Sequence, residues 1–301
     1  MLSECAEREG VNGQRYLRLS LEDATGRITG FVWPEFRATV GSPALFAPAS
    51  ILATVQQFDG RTQLRVQRLD SLTLEQVNRA TQLLPRHRCP ARTQRSFDRL
   101  AKLEVDLPEP LDEFLRRVLL DPGIGIPFLR CRASVAHHHA YVGGLLVHST
   151  EMLDIAAAEA QRTLPDDGWA PHLAQLGYLL HDLGKLRSVG EARRPLHALV
   201  VPHEFITLEL LAPHLGWLAQ RNARLATALR YVFAYLATPA RARGTPGYFI
   251  AELVATLDQW SAAAYNQRNL AHLLHDHEPR SLGCGRVPRL STGPARWSAT
   301  L

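Results

Sequence analysis

The sequence predicts an α+β protein of more than one domain, with a small N-terminal β-barrel followed by an all-α domain. Two observations predict it. Residues 12–72 alternate apolar and polar side chains between turn signals, and residues from about 109 to 275 keep a helical period. We expect the barrel over residues 1–75, a basic helical linker over 76–108, the all-α domain over 109–277 and a flexible tail over 278–301.

The composition is typical of a globular protein. A chain of 301 residues with 46% hydrophobic residues has enough apolar side chain for a buried core. No uncharged apolar run reaches about 18 residues, and residues 1–8 lack a basic stretch followed by an apolar core, so we expect no membrane span and a cytoplasmic location. The four cysteines show no C-x-x-C spacing, which predicts reduced thiols.

The net charge of +5 is compatible with an anionic partner. Between Arg79 and Lys102 the chain carries seven arginines and lysines against a single acid, Asp98. Such a patch can steer phosphates at long range, and it can equally be the solvated face of a linker. The sequence favours neither interpretation.

The strands are predicted from alternation and from two turns. Residues 16–21 and 27–33 alternate on either side of a turn at 23–26, which indicates a hairpin. Residues 50–58 and 62–69 flank Asp59-Gly60, a favoured two-residue hairpin turn. About five short strands in some sixty residues predict a small barrel.

This front region resembles the nucleic-acid-binding OB fold, through residues 13–17, 21–28 and 32–33. The resemblance implies that Arg18, Phe31, Trp33 and Arg65 are candidates for base stacking and phosphate contacts. The alternative is that an aromatic residue belongs to the barrel core. Because Phe31 and Trp33 share one strand face, we expect at least one of them to be buried.

The rest of the chain is predicted to be helical, with prolines as breaks. We expect helices at about 74–84, 92–102, 111–120, 143–163, 170–185, 203–217, 222–237 and 247–266.

His181-Asp182, at the end of an apolar helical run, is the strongest chemical signal in the sequence. Imidazole and carboxylate together suit a divalent ion such as Mn, Fe, Co, Zn or Mg. A lone His-Asp pair more often caps a helix, and we interpret His275-Asp276 in that way. Partners for a metal are available in His148 and Asp258.

Both partners are predicted to face the interior. An apolar stripe carries His148 inward, namely Leu145, Leu146, Met152 and Leu153. Asp258 shares a helix face with Val254, Leu257 and Ser261. A carboxylate in that setting needs a metal, a cation or hydrogen bonds.

The order of these motifs resembles the HD-domain metallohydrolases, and more closely the YhaM-type 3′-5′ exoribonucleases. The residues that carry the resemblance are His138-His139-Ala140-Tyr141, Gly143-Gly144-Leu145-Leu146, His148 and Leu180-His181-Asp182-Leu183-Gly184-Lys185. The resemblance implies a metal bound by His148, His181, Asp182 and Asp258. It also implies a phosphate contact from Lys185 and a scissile group near His138 and His139.

The implied function is a metal-dependent phosphodiesterase, a 3′-5′ exonuclease on single-stranded RNA or DNA. His203 can fill the first of the positions that hold a second metal in this family. The other positions fall in residues 229–238, which contain no histidine, so we expect one metal per site.

Alternative functions remain open at this stage. The chain can be an HD phosphohydrolase of small nucleotides, or a non-catalytic nucleic-acid-binding accessory protein with a degenerate HD domain. A plasmid-transfer relaxase of the TraI type shares the histidine and glycine motif, but the OB-like front argues against it. We expect single-stranded nucleic acid as a partner and no membrane, and a homo-oligomer is compatible with the sequence.

Overall fold

Two regions of different secondary structure follow one another along the chain, a β region and then a helical region. The computed structural model describes residues 1–11, 13–41, 44–192, 200–244 and 247–269, and two short strands, β6 (Arg280–Ser281) and β7 (Arg286–Val287). The predicted tail lies outside the described residues apart from these two strands, and so does His275-Asp276. Among the described helices, none is long and apolar enough to cross a membrane.

The β region is a five-stranded sheet in the order β1-β2-β3-β5-β4. Strands β3 and β5 are parallel, and the other neighbours are antiparallel. Both predicted hairpins are present, and Asp59 and Gly60 have the positive φ angles, 49° and 69°, that a tight turn requires. The strands are β1 (Leu2–Glu9), β2 (Arg15–Glu22), β3 (Arg27–Val32), β4 (Ala49–Phe58) and β5 (Arg61–Ser71).

Strand β1 was not among the predicted strands. It pairs only with β2 among the described strands, and five of its side chains point to solvent or are charged, so its alternation of apolar residues is interrupted. An edge strand tolerates such charges, which prevent pairing with other chains. The prediction that the strands begin near residue 12 was therefore wrong, because β1 precedes that residue.

The helices fill the rest of the described chain. Their bounds are α1 (Ala80–Leu83), α2 (Gln94–Asp106), α3 (Leu111–Leu120), α4 (Gly125–Arg130), α5 (Gly144–Thr150), α6 (Leu153–Thr163), α7 (Ala170–Leu180), α8 (Lys185–Ser188), α9 (His203–Arg221), α10 (Ala223–Ala237) and α11 (Phe249–Asn269). The structure divides the predicted helix 143–163 into α5 and α6, and ends the predicted helix 170–185 at Leu180. Helix α4 was missed because Gly123, Gly125 and Pro127 lower its helix propensity.

The predicted linker packs into the core of the helical region. Val77, Leu84, Phe97, Leu100 and Leu103 are buried in the same cluster as the inner faces of α3, α7 and α10. Its basic residues are partly paired with acids, since Arg86 contacts Asp98 at 3.0 Å and Lys102 contacts Asp106. Residues 76–108 are therefore a structural part of the helical region rather than a solvated connection.

A buried ion pair joins the sheet to the helical region. The Glu22 carboxylate at the end of β2 accepts hydrogen bonds from Arg88 Nε and Nη2 at 2.7 and 2.8 Å, and His87 Nε2 lies 3.2 Å away. Burial opposes ionisation of Glu22, but the hydrogen bonds from Arg88 and Ser3 and the charges of Arg88 and His87 lower its pKa to about 2. Glu22 therefore stays charged at any pH near neutrality.

Candidate metal centre and strand-binding face

Three helical segments bring the four predicted metal ligands together. His148 lies on α5, His181 and Asp182 directly follow α7, and Asp258 lies on α11. One donor atom from each residue lies within 4.8 Å of the donor atoms of the other three. The predicted ligand set is therefore assembled in the fold, although its binding of a metal stays a prediction.

Histidine nitrogens and carboxylate oxygens converge at the centre of this cluster. The two Nε2 atoms of His148 and His181 are 3.3 Å apart, and His148 Nε2 lies 3.1 Å from Asp182 Oδ2 and 3.2 Å from Asp258 Oδ1. Burial lowers the pKa of His148, but the hydrogen bonds to Asp182, Asp258 and Glu151 outweigh it and raise this pKa to about 10. The cluster thus favours positive charge at its centre, and its nitrogen and oxygen donors fit a divalent cation.

The backbone sets the orientation of His181. Its Nδ1 lies 2.6 Å from the carbonyl oxygen of Tyr178, one helical turn earlier. A carbonyl can only accept, so Nδ1 carries a proton, and Nε2 faces Asp258 Oδ1 at 3.6 Å and His148 Nε2 at 3.3 Å. This is the arrangement by which a second hydrogen bond fixes a metal-binding histidine.

A chain of side chains orients His148. His148 Nδ1 lies 3.0 Å from Ser261 Oγ, and the Ser261 hydroxyl donates to the Glu151 carboxylate, which lies 3.1 Å from His139 Nε2. We call His148, Ser261, Glu151 and His139 the Glu151 relay. Burial opposes ionisation of Glu151, but its contacts with His139, His148 and Ser261 hold its pKa well below the usual range.

We expect Glu151→Gln to weaken metal binding by about 10- to 100-fold, because an amide accepts a weaker hydrogen bond and leaves His148 less firmly oriented. Isothermal titration with Mn²⁺ measures this change. Glu159→Gln on α6 is the matched control, since Glu159 pairs only with Arg162 among the described residues and lies in an exposed ion pair. Equal affinities in the two variants would show that the relay does not position His148.

Lys185 and His203 surround the second carboxylate. Lys185 Nζ donates to Asp182 Oδ2, and His203 Nε2 lies 2.9 Å from Asp182 Oδ1. Burial raises the pKa of Asp182, but the charges of His181 and Lys185 outweigh it and hold the pKa well below its ordinary value. Burial lowers the pKa of His203, and the contact with Asp182 raises it by more. Both predicted residues therefore lie beside the cluster.

His138 and His139 also lie beside the cluster but in different settings. The His138 ring is 5.3 Å from the ring of His148, and burial together with His148 lowers the pKa of His138 to about 4, so this ring is neutral at pH 7. Both nitrogens of His139 are occupied, by the Tyr141 hydroxyl at 3.0 Å and by Glu151. His138 is thus the freer of the two rings.

The cluster opens to solvent on one side. The side chains of His148, His181 and Asp182 are at most 5% exposed, whereas that of Asp258 is 43% exposed and that of His203 is 31% exposed. A ligand therefore has access to the cluster past Asp258 and His203.

Sequence reasoning missed several residues of this centre. Glu151, Ser261 and Tyr178 contact the ligand histidines, and the ring of Tyr265 lies 5.0 Å from that of His139. The periodicity of α5 indicated an inward-facing His148, but no motif connected it with Ser261, which lies 113 residues later.

The predicted nucleic-acid-binding residues form a row on one face of the sheet. Arg18 pairs with Phe31 across β2 and β3, and Phe31 pairs with Arg65 across β3 and β5. Phe31 and Trp33 are both partly buried, while Val32 between them is fully buried. The expectation that at least one of the two aromatic residues is buried in the core was therefore wrong.

Tyr16 extends this face. Its ring lies 5.8 Å from that of Phe31 and 5.2 Å from that of Trp33. The two arginines have acidic neighbours, since Arg18 lies 3.5 Å from Glu4 and Arg65 lies 2.6 Å from Glu35. These ion pairs are exposed to water and therefore contribute little to stability.

Comparison with known proteins finds curated relatives that are similar over about 60% of this chain. The chain is 28% identical over 194 residues to the 3′-5′ exoribonuclease YhaM of Halalkalibacterium halodurans, which covers 63% of this chain and 57% of that protein. It is 26% identical over 183 residues to the 3′-5′ exoribonuclease YhaM of Bacillus subtilis, which covers 59% of this chain and 55% of that protein.

These similarities confirm the resemblance inferred from the sequence: the chain is a relative of the YhaM-type 3′-5′ exoribonucleases. It spans a little over half the length of the two curated relatives. No family model matches the chain. No solved structure matches it either.

Proposed function

We propose that this protein is a metal-dependent phosphodiesterase of the HD type that shortens single-stranded RNA, or DNA, from the 3′ end. The observation that carries the proposal is the cluster of His148, His181, Asp182 and Asp258 in a relative of exoribonucleases. Three of its residues, His148, His181 and Asp182, are buried, and the partly exposed Asp258 leaves the cluster accessible to a substrate.

The four clustered residues would hold one divalent cation. A bound cation of this kind lowers the pKa of a water molecule and polarises a phosphoryl oxygen. Lys185, held against Asp182, supplies a positive charge that offsets charge developing on the phosphate. His138 is neutral at pH 7 and can accept or donate one proton beside the cluster.

The β-sheet would bind the single-stranded nucleic acid that is hydrolysed at the cluster. Its strand order, with β3 and β5 parallel and β1 and β4 at the edges, supports an OB-type barrel that is not fully closed. Stacking on Tyr16, Phe31 and Trp33 is tolerant of base identity, and Arg18 and Arg65 can follow the phosphates. The sheet therefore suits sequence-independent binding.

The test is a time course with single-stranded RNA labelled at its 5′ end, in Mn²⁺ and in EDTA. We expect the labelled RNA to shorten one nucleotide at a time with Mn²⁺ and not at all with EDTA. Removal from the 5′ end would instead release the label at once, and internal cleavage would give short labelled fragments from the earliest times. The metal content of the purified protein is measured in parallel.

Two outcomes favour other functions. Release of phosphate from free nucleotides, with labelled strands left intact, would favour a phosphohydrolase of small nucleotides. Strand binding with no bound metal and no metal-dependent cleavage would favour an accessory protein.

A further inference from the structure

An acid-free part of the sequence forms one surface of the helical region. Residues 210–251 contain five arginines and no aspartate or glutamate. Within it, α10 exposes Arg224, Thr227, Tyr231 and Ala234, which follow one another at intervals of three or four residues and so lie on one face of the helix. This face therefore carries one positive charge, Arg224, near the start of the helix and an aromatic ring, Tyr231, at its centre.

Two cavities adjoin along this face, and Tyr231 lines both. One is about 600 Å³ and lies toward the start of α10, and the other is about 340 Å³ and lies toward its end. From Arg224 to Thr238 the helix rises about 21 Å. We call this surface the α10 groove, and its defining side chains are Arg224, Thr227, Tyr231, Tyr235, Arg243 and Tyr248.

The aromatic rings of the groove are held in place. The ring of Tyr231 lies 5.6 Å from that of Tyr248, edge to face, and 6.4 Å from the nearly parallel ring of Tyr235. The Tyr235 hydroxyl donates to Glu252, and the Arg243 guanidinium covers its ring at 4.7 Å. Tyr231 itself is 48% exposed, so its ring is both positioned and accessible.

The two arginines of the groove form no ion pair among the described residues, although Glu252 lies at the edge of the groove, hydrogen-bonded to Tyr235. Arg243 donates to the backbone carbonyls of Thr238 and Leu236, and Arg224 is exposed beside the larger cavity. Carbonyls fix the position of a guanidinium without cancelling its charge. The groove thus combines ordered aromatic rings with cations at both ends, which matches a polymer of alternating bases and phosphates.

We propose that the α10 groove binds a segment of single-stranded nucleic acid, with bases against Tyr231 and Tyr248 and phosphates near Arg224 and Arg243. At the spacing of about 3.4 Å per nucleotide in a stacked strand, the groove accommodates about six nucleotides. The choice of nucleic acid as the ligand rests on the proposed function. The test below measures binding without cleavage, so the two can fail separately.

Binding of a 20-nucleotide uridine RNA, labelled with fluorescein and kept in EDTA, is measured by fluorescence anisotropy. We expect Tyr231→Ala to raise the Kd by about 5- to 150-fold, because a stacked base is lost, and Tyr231→Phe to bind like the wild type. We expect Arg224→Ala to reduce the slope of log Kd against log salt by about 0.7, because one phosphate contact is lost. The matched control is Arg162→Ala, an exposed arginine on α6 that lines neither cavity.

The proposal is overturned if Tyr231→Ala binds the RNA as tightly as the wild type, or if Arg162→Ala changes the salt slope as much as Arg224→Ala does. It is also overturned if light scattering shows that the wild type is a dimer and that Tyr231→Ala is a monomer, because the groove would then join two chains. Thermal unfolding of Tyr231→Ala near the wild-type temperature confirms that the fold is retained. If the wild type binds the RNA through the groove but does not shorten it in Mn²⁺, the proposed function is contradicted and the proposed binding by the α10 groove is not.

Discussion

Asp182→Asn is expected to lower the rate of Mn²⁺-dependent RNA shortening by about 1,000-fold, because a neutral amide weakens the binding of the cation that stabilises the transition state by several kcal/mol. The change keeps the size of the side chain. It removes the charge that Lys185, His203 and His148 all contact. Binding of the RNA to the β-sheet should persist, because Asp182 is buried in the helical region and not on the sheet.

The measurement is the initial rate of shortening, together with the rise in unfolding temperature that Mn²⁺ causes. Wild-type protein should be stabilised by the ion, and Asp182→Asn should not. Asp121→Asn is the matched control, because Asp121 lies 3.1 Å from His214 in a second His-Asp pair that is outside the cluster. Full activity in Asp182→Asn would contradict the assignment of this residue as a ligand.

Gly184→Ala is expected to lower the free energy of unfolding by about 3 kcal/mol, because there is no room for a methyl group between the His-Asp segment and α9. A Cβ atom at Gly184 would lie 1.8 Å from the carbonyl oxygen of His203 and 2.8 Å from the amide nitrogen of Thr207. The Gly184 amide also donates to Thr207 Oγ1 at 2.8 Å. The first turn of α9 would have to move, and His203 would move away from Asp182 with it.

Urea denaturation measures this loss, and metal titration measures the accompanying change in the cluster. Gly216→Ala is the control in the same helix, α9, where a Cβ atom would meet no neighbour within 4 Å. That substitution should stabilise the protein by about 0.5–1 kcal/mol through helix propensity. A Gly184→Ala protein as stable as the wild type would show that α9 does not approach the segment so closely.

The sequence predicted the ligand cluster because each ligand has a local signature. His148 shares the inward stripe of α5, His181-Asp182 ends an apolar helix, and Asp258 is a carboxylate on an apolar helix face. These signals depend only on helical periodicity, which is short in range. The structure then places the four residues together, which periodicity alone does not require.

The supporting contacts could not be predicted in the same way. Ser261 and Glu151 are 110 residues apart, and neither stands in a motif that refers to the other. The basic residues near residue 90 were ambiguous for a similar reason. From the sequence alone, Arg88 can be a solvated residue or a phosphate-binding residue. Only the packing of the sheet against the helices shows that it pairs with the buried Glu22.

The α10 groove is another feature that the sequence alone did not predict. The sequence of residues 229–238 was informative through its lack of histidine, which argued for a single metal. Nothing in the sequence indicated that Tyr231 and Tyr235 line a groove. The structure shows it, because Tyr248, just before α11, lies beside Tyr231.

The contact between Glu22 and Arg88 links the sheet to the helical region that carries the cluster of His148, His181, Asp182 and Asp258. The Arg88 carbonyl accepts from Arg130 Nη1 at 3.1 Å, and Arg130 ends the helix that precedes the histidine segment at 137–139. If the protein shortens single-stranded RNA as proposed, we expect shortening to stop when the RNA no longer reaches from the sheet to the cluster, at a product length that does not depend on the RNA sequence.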